Sequence, residues 1–424
     1  MLTTTQRPKS KRCWYRFSLR TLLLLMMVSS VVFGWTASRI HRAWKNRDRV
    51  TAVDKTITEI EKLGGAVTSV YEDKRPQTLL EKMFDDPGSV NNPVRALVAT
   101  NVDLGHSNVT DKDLQNLNGL TVLQALNLNY TKKVTNAGLK ELAKLKSLQN
   151  LSLHGMTNTD TGLKELVALK SLQFLDLVNT DVTETGLRQL GEFKNLRSLN
   201  LMFTSVTTGG MKQLGGLKNL RSLELGVTNV TNSGLKELTR VKSLQSLDLG
   251  STKITDVGLQ HLAVLTSLES LDLTGTAVTD AGLKHLSRLK RLQSLKLGAT
   301  TVTDAGLKHL AGLKSLQSLN LVQTAVTDAG MKNHLKGLTD LQMLSLANTK
   351  ITDAGLQHLT GLKNLQSLRL SNTKVTDAGL KHPSRLKNLK HLNVGGTNVT
   401  QEGLKKLDAA IPGSNFFRSH YQEK

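Results

Sequence analysis

A block of 24 residues repeats along this chain of 424 residues, and that period limits the folds it can adopt. Each copy contains a segment similar to T-D-A-G-L, and a degenerate first copy has Asp113 in place of the glycine. Because so small a unit cannot bury its own apolar face, the period predicts a solenoid of stacked units. One additional residue enters after Gly330. Thirteen copies cover residues 96–411, with their glycines at Gly138, Gly162, Gly186, Gly210, Gly234, Gly258, Gly282, Gly306, Gly330, Gly355, Gly379 and Gly403.

Residues 268–289 illustrate what one copy encodes. Leu268, Leu271 and Leu273 form an L-x-x-L-x-L segment, which predicts a short strand with Leu271 and Leu273 pointing inward. The segment Thr279-Asp280-Ala281-Gly282 then opens a helical stretch, because Thr or Asp at that place can cap the first turn. Stacked copies should therefore form a parallel sheet on a concave side and a row of helices on a convex side.

The L-x-x-L-x-L pattern and the T-D-A-G-L segment resemble the leucine-rich repeat family, in particular its ribonuclease-inhibitor-like and GALA-type members. The resemblance extends over about three quarters of the chain and implies an α/β solenoid, a curved right-handed coil. The ninth position of the pattern is threonine except at Ser107 and Met156. Since a buried hydroxyl needs a partner, we expect these threonines to bond the turn backbone of the next coil. They are Thr131, Thr180, Thr204, Thr228, Thr252, Thr276, Thr300, Thr324, Thr349, Thr373 and Thr397.

Two copies depart from the pattern. Residues 331–335 hold one residue more than the corresponding segments, so we expect a bulge on the convex side. Pro383 stands where other copies have leucine, and proline removes a helical hydrogen bond. The helical segment should therefore be broken at Pro383.

A membrane anchor is predicted at residues 21–38, which carry no charged side chain and are just long enough for a transmembrane helix. A cleaved signal peptide is the alternative, because Thr36-Ala37-Ser38 offers small residues at a suitable place. The opening F-S-L-R-T-L-L at residues 17–23, followed by the span, Gly64-Gly65 and the repeats, resembles planctomycete-type membrane-anchored leucine-rich-repeat proteins.

The orientation of this anchor is weakly encoded. Six Lys or Arg residues precede the span and five follow it up to Arg49, so charge asymmetry favours neither side strongly. A short N-terminal tail and a single early span favour a single-pass membrane protein with its repeats on the non-cytoplasmic side.

The sequence thus divides into five parts. Residues 1–20 form a basic tail, 21–38 the anchor, 39–95 a juxtamembrane helix and N-terminal cap, 96–411 the solenoid and 412–424 a C-terminal tail. Within the cap, apolar residues spaced three and four apart predict a helix that ends at Gly64-Gly65. We further expect a strand at residues 66–72 and a short helix at 78–84.

No constellation of residues points to catalysis, a cofactor or a metal. The single cysteine, Cys13, excludes a disulfide within one chain. The net charge of +22 raises the possibility of nucleic-acid binding, but no aromatic set for base stacking accompanies the lysines. We interpret the recurrent histidines and two lysine rows as solvated repeat positions. The histidines are His261, His285, His309, His334, His358 and His382. The second lysine row comprises Lys146, Lys170, Lys194, Lys218, Lys242, Lys290, Lys314, Lys363 and Lys387.

The concave strand face is the predicted binding surface. Phe174, Met202 and Phe203 stand out there, because small or polar residues occupy the equivalent positions elsewhere. The candidate site for a protein partner consists of Tyr130, His154, Phe174, Asp176, Met202, Phe203 and Glu224. Later copies offer the outward residues Asp248, Asp272, Lys296, Asn320, Arg369 and Asn393.

These features predict a non-catalytic, membrane-anchored binding or scaffold protein that acts on a protein or envelope ligand, without nucleic acid or small-molecule substrate. Two alternatives remain at this point. One is a soluble secreted binder, which would follow from cleavage of the anchor. The other is an intracellular adaptor of the ubiquitin-ligase type, against which the basic anchor argues.

Overall fold

The computed structural model describes residues 55–72, 97–157, 159–413 and 415–417. Nearly all of these belong to one compact unit, residues 56–70 and 98–424. A second unit, residues 1–55 and 71–97, contains only four described residues. Among the described residues, no helix is both long and apolar enough to cross a membrane. The predicted anchor at residues 21–38 and the predicted helix at 78–84 lie outside the described residues.

Fifteen strands form one sheet in strict sequence order within the described part of the chain. Strands β2 to β15 pair in parallel, each shifted from the last by one repeat, so that Leu271, Leu295 and Leu319 are direct neighbours. The strands are β1 Ala66–Glu72, β2 Leu97–Asp103, β3 Ala125–Asn127, β4 Asn150–Ser152, β5 Phe174–Asp176, β6 Ser198–Asn200, β7 Ser222–Glu224, β8 Ser246–Asp248, β9 Ser270–Asp272, β10 Ser294–Lys296, β11 Ser318–Asn320, β12 Met343–Ser345, β13 Ser367–Arg369, β14 His391–Asn393 and β15 Asn415–Phe417.

A helical segment follows each strand from β2 to β14, and neighbouring segments lie against one another. The α-helices are Asp111–Leu114, Asn136–Leu142, Thr159–Leu166, Glu184–Leu190, Thr208–Leu214, Asn232–Leu238, Asp256–Leu262, Asp280–Leu283, Asp304–Leu307, Asp328–His334, Asp353–Leu356 and Gln401–Ala410. Short 3-10 helices cover Gln115–Gly119, Lys284–Arg288, Leu335–Gly337, Gln357–Gly361, Gly379–Lys381 and Pro383–Arg385.

Leucines from the strands and helices fill the space between the two layers. In the representative copy Leu271 and Leu273 from the strand side, Val278 from the turn and Leu283 from the helix are all fully buried. The predicted inward register of the strand is therefore confirmed. Each such side chain removes its apolar surface from water, which stabilises the fold by about 1.5–3 kcal/mol per leucine.

The ninth-position threonines are buried as expected, but their hydrogen bonds differ from the prediction. Thr300 Oγ1 donates to the Leu297 carbonyl oxygen at 2.6 Å, and Thr276 Oγ1 donates to that of Leu273 at 2.6 Å. Each hydroxyl thus closes the turn within its own repeat, three residues back. The prediction of a bond to the next coil was wrong, because the tight turn after the strand brings a carbonyl of the same repeat within reach.

The T-D-A-G segment, in contrast, makes side-chain hydrogen bonds between repeats. Thr303 caps its helix by accepting a hydrogen bond from the Ala305 amide, as the sequence predicted. Asp280 of the preceding repeat accepts from the Thr303 amide at 2.8 Å and from Thr303 Oγ1 at 2.6 Å. The same Asp-to-Thr connection recurs at Asp111, Asp160, Asp256, Asp304, Asp328, Asp353 and Asp377.

In the repeats that have this connection, it explains the recurring glycine. A Cβ atom at Gly306 would lie 2.3 Å from Asp280 Oδ1, closer than real Cβ atoms approach another heavy atom. Glycine is therefore needed where the carboxylate of one repeat crosses to the next helix. The glycine period is visible in the sequence. Only the structure shows that each such glycine makes room for the aspartate of the preceding repeat.

Both irregular copies behave as predicted. At the insertion the backbone at His334 leaves the helical range, with φ −127°, between the α-helix Asp328–His334 and the 3-10 helix Leu335–Gly337. At Pro383 the helical segment breaks into two 3-10 turns. The corresponding amide of Leu310 donates to the Leu307 carbonyl, a bond that proline cannot make.

The ends of the repeat unit are closed by additional elements. Residues 55–62 are helical and the chain turns at residues 63–64 before β1, which confirms the helix end and strand predicted there. Ile60 is buried, and Gly65 lies closely against Leu104. At the other end the structure has a strand that the sequence analysis missed. Strand β15 pairs with β14, with Phe416 opposite Leu392. The predicted C-terminal tail therefore extends the sheet at its start.

Candidate partner-binding face

Each short strand presents two side chains outward and one inward. The central leucine is buried, while the first and third residues are partly exposed on the outer face of the sheet. The first positions from β6 to β11 are all serine: Ser198, Ser222, Ser246, Ser270, Ser294 and Ser318. The third positions from β5 to β10 are Asp176, Asn200, Glu224, Asp248, Asp272 and Lys296. Small side chains thus leave the row of charged side chains accessible.

The seven predicted site residues fall into two structural classes. Phe174, Asp176 and Glu224 lie on strands, as the alternation predicted. Tyr130, His154, Met202 and Phe203 lie in the turns that follow β3, β4 and β6 instead. Their placement on the strand face was wrong, because the strands end after three residues and the backbone then turns.

Tyr130 and His154 form a local pair. The Tyr130 hydroxyl and His154 Nε2 are 2.8 Å apart, and the ring centroids are separated by 4.5 Å. His106 stacks on the other side of Tyr130 at 4.7 Å. An open depression of about 450 Å³ lies beside this stack and is lined in part by Lys132 and Lys133. His106, Tyr130 and His154 therefore form one stacked group across the first three repeats. The sequence analysis named Tyr130 and His154 but missed His106.

Phe203 and Val227 form an exposed apolar pair in adjacent repeats. Their exposed fractions are 54% and 43%, and both backbones have φ of 56°, in the left-handed region. A β-branched or aromatic side chain is rarely found in this conformation and costs on the order of 1–2 kcal/mol there. Other repeats place better-suited residues at the same turn, including Asn179, Ser251, Gly275, Asn348 and Asn372. The sequence analysis found Phe203 but missed Val227.

Met202 continues this apolar surface toward the strands. A Cβ atom at Gly226 would meet Met202 Cε at 2.9 Å and Asp248 Oδ1 at 3.3 Å. The thioether of one repeat therefore reaches across the next, close to the carboxylate of the third. We call Met202, Phe203 and Val227 the apolar ridge.

The third strand position carries four carboxylates close together. We call Asp176, Glu224, Asp248 and Asp272 the acidic strip. Asn200, between the first two, donates to Glu224 Oε2 at 2.7 Å. Lys296 ends the strip and lies 2.9 Å from Asp272 Oδ2. Neighbouring strands are about 4.8 Å apart, so adjacent carboxylates repel each other.

Burial raises the pKa of Glu224, and the negative charges of Asp248 and Asp176 add to this effect. Burial likewise raises the pKa of Asp248. The pKa of Asp272 is lowered despite burial, because Thr274 and Lys296 donate hydrogen bonds to it. A raised carboxyl pKa means that the folded state holds its proton more tightly than the unfolded state. Ionised Glu224 and Asp248 therefore destabilise the fold above their folded-state pKa, and this penalty disappears as the pH falls through it.

The helix side is organised differently. Lys314 Nζ donates to the Gly337 carbonyl at 2.8 Å, and Lys218 Nζ donates to the Gly215 and Arg240 carbonyls at 3.1 and 3.3 Å. These lysines of the second row bind the carbonyls at helix ends, within a repeat and to the next one, where positive charge is favourable. Burial is the main cause that lowers the pKa of His285, His309 and His382. The described residues contain no acidic, histidine or cysteine group arranged to hold a metal ion.

These repeats match a known sequence profile. The profile described as leucine-rich repeat region aligns with residues 195–407, about half of the chain. The chain belongs to the leucine-rich repeat family. The resemblance drawn from the sequence is thereby confirmed for the family, while its planctomycete-type part stays a prediction. A comparison with curated protein sequences finds no match.

Three solved structures are similar to this leucine-rich repeat protein to different degrees. An internalin from Listeria monocytogenes superposes with a TM-score of 0.57 at 24% identity, over 78% of this chain and 91% of that chain. A leucine-rich repeat protein from Leptospira interrogans gives 0.39 at 22% identity, over 71% and 91%. Internalin C2 from Listeria monocytogenes gives 0.39 at 27% identity, over 49% and 84%. The first likeness shows a shared fold.

Proposed function

We propose that this leucine-rich repeat protein is a non-catalytic, single-pass membrane protein that binds a protein partner through its concave face, formed by the outer side of the sheet and the turns that follow its strands. The observation that carries this proposal is the apolar ridge. Phe203 and Val227 are exposed, and their left-handed backbone conformation is one that most other repeats assign to Asn, Ser or Gly, the exceptions being His106, Tyr130, Ala299 and Gln323. Folding does not require apolar side chains there, so we attribute them to recognition.

The contrast between the two sides of the repeat unit supports this choice of face. On the helix side, lysines of the second row donate to carbonyl groups of the chain itself. Those amino groups act as internal caps, which weakens the case for a nucleic-acid surface. On the strand side, the acidic strip and the apolar ridge lie next to each other, and Phe203 and Val227 are exposed.

The partner-binding face is tested by photo-crosslinking in the native host. A photoreactive residue is placed at Ser246 or Ser270 on the strand side and, as matched controls in the next repeats, at Lys284 or Lys308 on the helix side. We expect discrete protein adducts from the strand-side positions, lost when Phe174 and Phe203 are both replaced by serine. Phe203 is mostly exposed and Phe174 lies half-buried on the outer face of β5, so this double variant should change the thermal midpoint only slightly. Adducts from the helix-side positions alone would contradict the proposed face.

The membrane part of the proposal rests on the uncharged residues 21–38 and is tested separately. A C-terminal tag is added, and protease is supplied to intact cells whose outer barrier has been permeabilised. We expect full-length protein in the membrane fraction and digestion of the tag, which would place the repeats outside the cytoplasm. A protected tag would contradict the proposed orientation, and a soluble, shortened protein would identify a cleaved signal peptide.

A further inference from the structure

The negative charge of the acidic strip is not needed for the local backbone structure. Asp248 Oδ1 accepts a hydrogen bond from the Gly250 amide at 2.7 Å, and Asp272 Oδ1 accepts one from the Thr274 amide at 2.9 Å. Asparagine makes the same bond in other repeats, as Asn320 does to the Val322 amide at 2.9 Å. An amide oxygen therefore serves the turn as well as a carboxylate. The negative charges are surplus to it, and they repel one another.

Glu224 departs even further from the structural requirement. Its side chain is one carbon longer than that of its neighbours in the row, and it accepts from the side chain of Asn200 instead of bonding the turn. Burial and the charges of Asp248 and Asp176 together oppose its ionisation. The positive charge nearest the strip, Lys296, lies at its end and is bound to Asp272. Between Asp176 and Asp248 the strip thus presents negative charge to solvent.

This local charge is opposite in sign to that of the whole molecule. The chain carries a net charge of +22, with 56 Lys and Arg against 34 Asp and Glu. The net positive charge of the molecule repels a cationic ligand. The acidic strip is a local region of negative charge that attracts it. Charge complementarity of this kind selects a partner and sets its orientation.

The apolar ridge borders the acidic strip, so the ligand should carry an apolar group beside its positive charge. Met202 reaches the space between Gly226 and Asp248, which brings an apolar side chain and a carboxylate to the same place. Phe203 and Val227 extend this apolar surface outward. On the other side of the strip, the serines of β6 to β9 leave room for a main chain to approach. A simple inorganic cation would make no favourable contact with the apolar ridge.

We propose that the acidic strip and the apolar ridge together bind a cationic polypeptide segment, one that places lysine or arginine over Glu224 and Asp248 and an apolar side chain against Phe203. The ligand class is an extended basic peptide of the partner protein. This inference rests on the proposed function, because it names the chemistry that the partner presents to the strand face.

The test uses a short fluorescent peptide of lysines and one leucine in a glycine-serine background. Its binding to the full-length protein in detergent is measured by anisotropy as salt is raised. The combined variant Glu224→Gln, Asp248→Asn and Asp272→Asn should weaken binding at least about tenfold. The matched control replaces Glu165, Glu192 and Glu237 by glutamine, which changes the net charge equally on the helix side. It should bind as the wild-type protein does. Salt should weaken the wild-type complex.

Folding controls separate recognition from structure. The amides at positions 248 and 272 keep the turn bonds, and the changes at Glu224 and Asp248 remove repulsion. Asp272→Asn gives up the ion pair with Lys296, which is partly exposed and contributes little. The strip variant should therefore be about as stable as wild type at neutral pH. The proposal is overturned if the peptide fails to bind, if both triple variants lose binding equally, or if calcium binds the strip and the peptide does not. Should strand-side crosslinks persist unchanged in the strip variant, the cationic ligand is wrong while the binding face stands. If the otherwise unchanged protein gives no crosslinks from the strand-side positions, the binding face itself is wrong.

Discussion

Replacing Gly306 with alanine is expected to lower the free energy of unfolding by about 2 kcal/mol, although alanine is the better helix former. The new methyl group would lie 2.3 Å from Asp280 Oδ1 and 3.0 Å from Leu283 Cδ1. Asp280 must then move and release the Thr303 amide and hydroxyl, which it holds at 2.8 and 2.6 Å. Losing hydrogen bonds to a charged group outweighs the gain in helix propensity, which is at most about 1 kcal/mol.

A double-mutant cycle tests this mechanism directly. In an Asp280→Ala background the obstructing carboxylate is gone, so adding Gly306→Ala should cost little more. Urea unfolding of the four proteins should therefore give a coupling energy of about 1–2 kcal/mol between the two sites. Gly361→Ala is the control, because a Cβ atom there has no neighbour within 4 Å. Additive effects of Asp280→Ala and Gly306→Ala would show that the clash does not involve Asp280.

The regular part of this fold could be predicted from the sequence because each repeat contains the leucine spacing and the capping residue that determine its own strand and helix. Period-two leucines predicted the inward register of Leu271 and Leu273, and Thr at the start of a helical run predicted caps such as that of Thr279. The break at Pro383 followed from the chemistry of one residue. These features depend on residues close in sequence, where spacing alone determines which groups meet.

Contacts between repeats could not be predicted in the same way. The partner of Thr300 Oγ1 was assigned to the wrong coil, because choosing between two nearby carbonyls requires the turn geometry. The pairing of Asp280 with Thr303 joins residues 23 positions apart. Strand β15 was missed, since its residues match no repeat and gain their conformation from β14.

The candidate site shows the same division. Phe174, Asp176 and Glu224 were placed on strands by alternation, whereas Met202 and Phe203 lie beyond the strand end. A signal for Val227 did exist, because it follows Phe203 by one period at a turn where most other repeats have small or polar residues. Its importance became clear only from its exposure and its left-handed backbone.

The second large effect concerns the continuity of the leucine core. Leu295 is fully buried at the centre of β10, between Leu271 and Leu319 in the neighbouring strands. Replacing it with alanine leaves a cavity in a close-packed interior, and we expect a loss of about 2–5 kcal/mol in the free energy of unfolding. Ser294→Ala, one residue away on the outer face, should change it by less than about 0.5 kcal/mol.

The position of this cavity should also change how the protein unfolds. In a solenoid each repeat is stabilised by its neighbours, so a weakened central contact separates the repeats on its two sides. We expect Leu295→Ala to broaden the urea transition followed by circular dichroism. Leu404→Ala, in the last helix, should only let the end of the chain fray. Equal midpoints and equally sharp transitions for the two variants would contradict this, because they would require the whole unit to unfold as one block wherever its core is weakened.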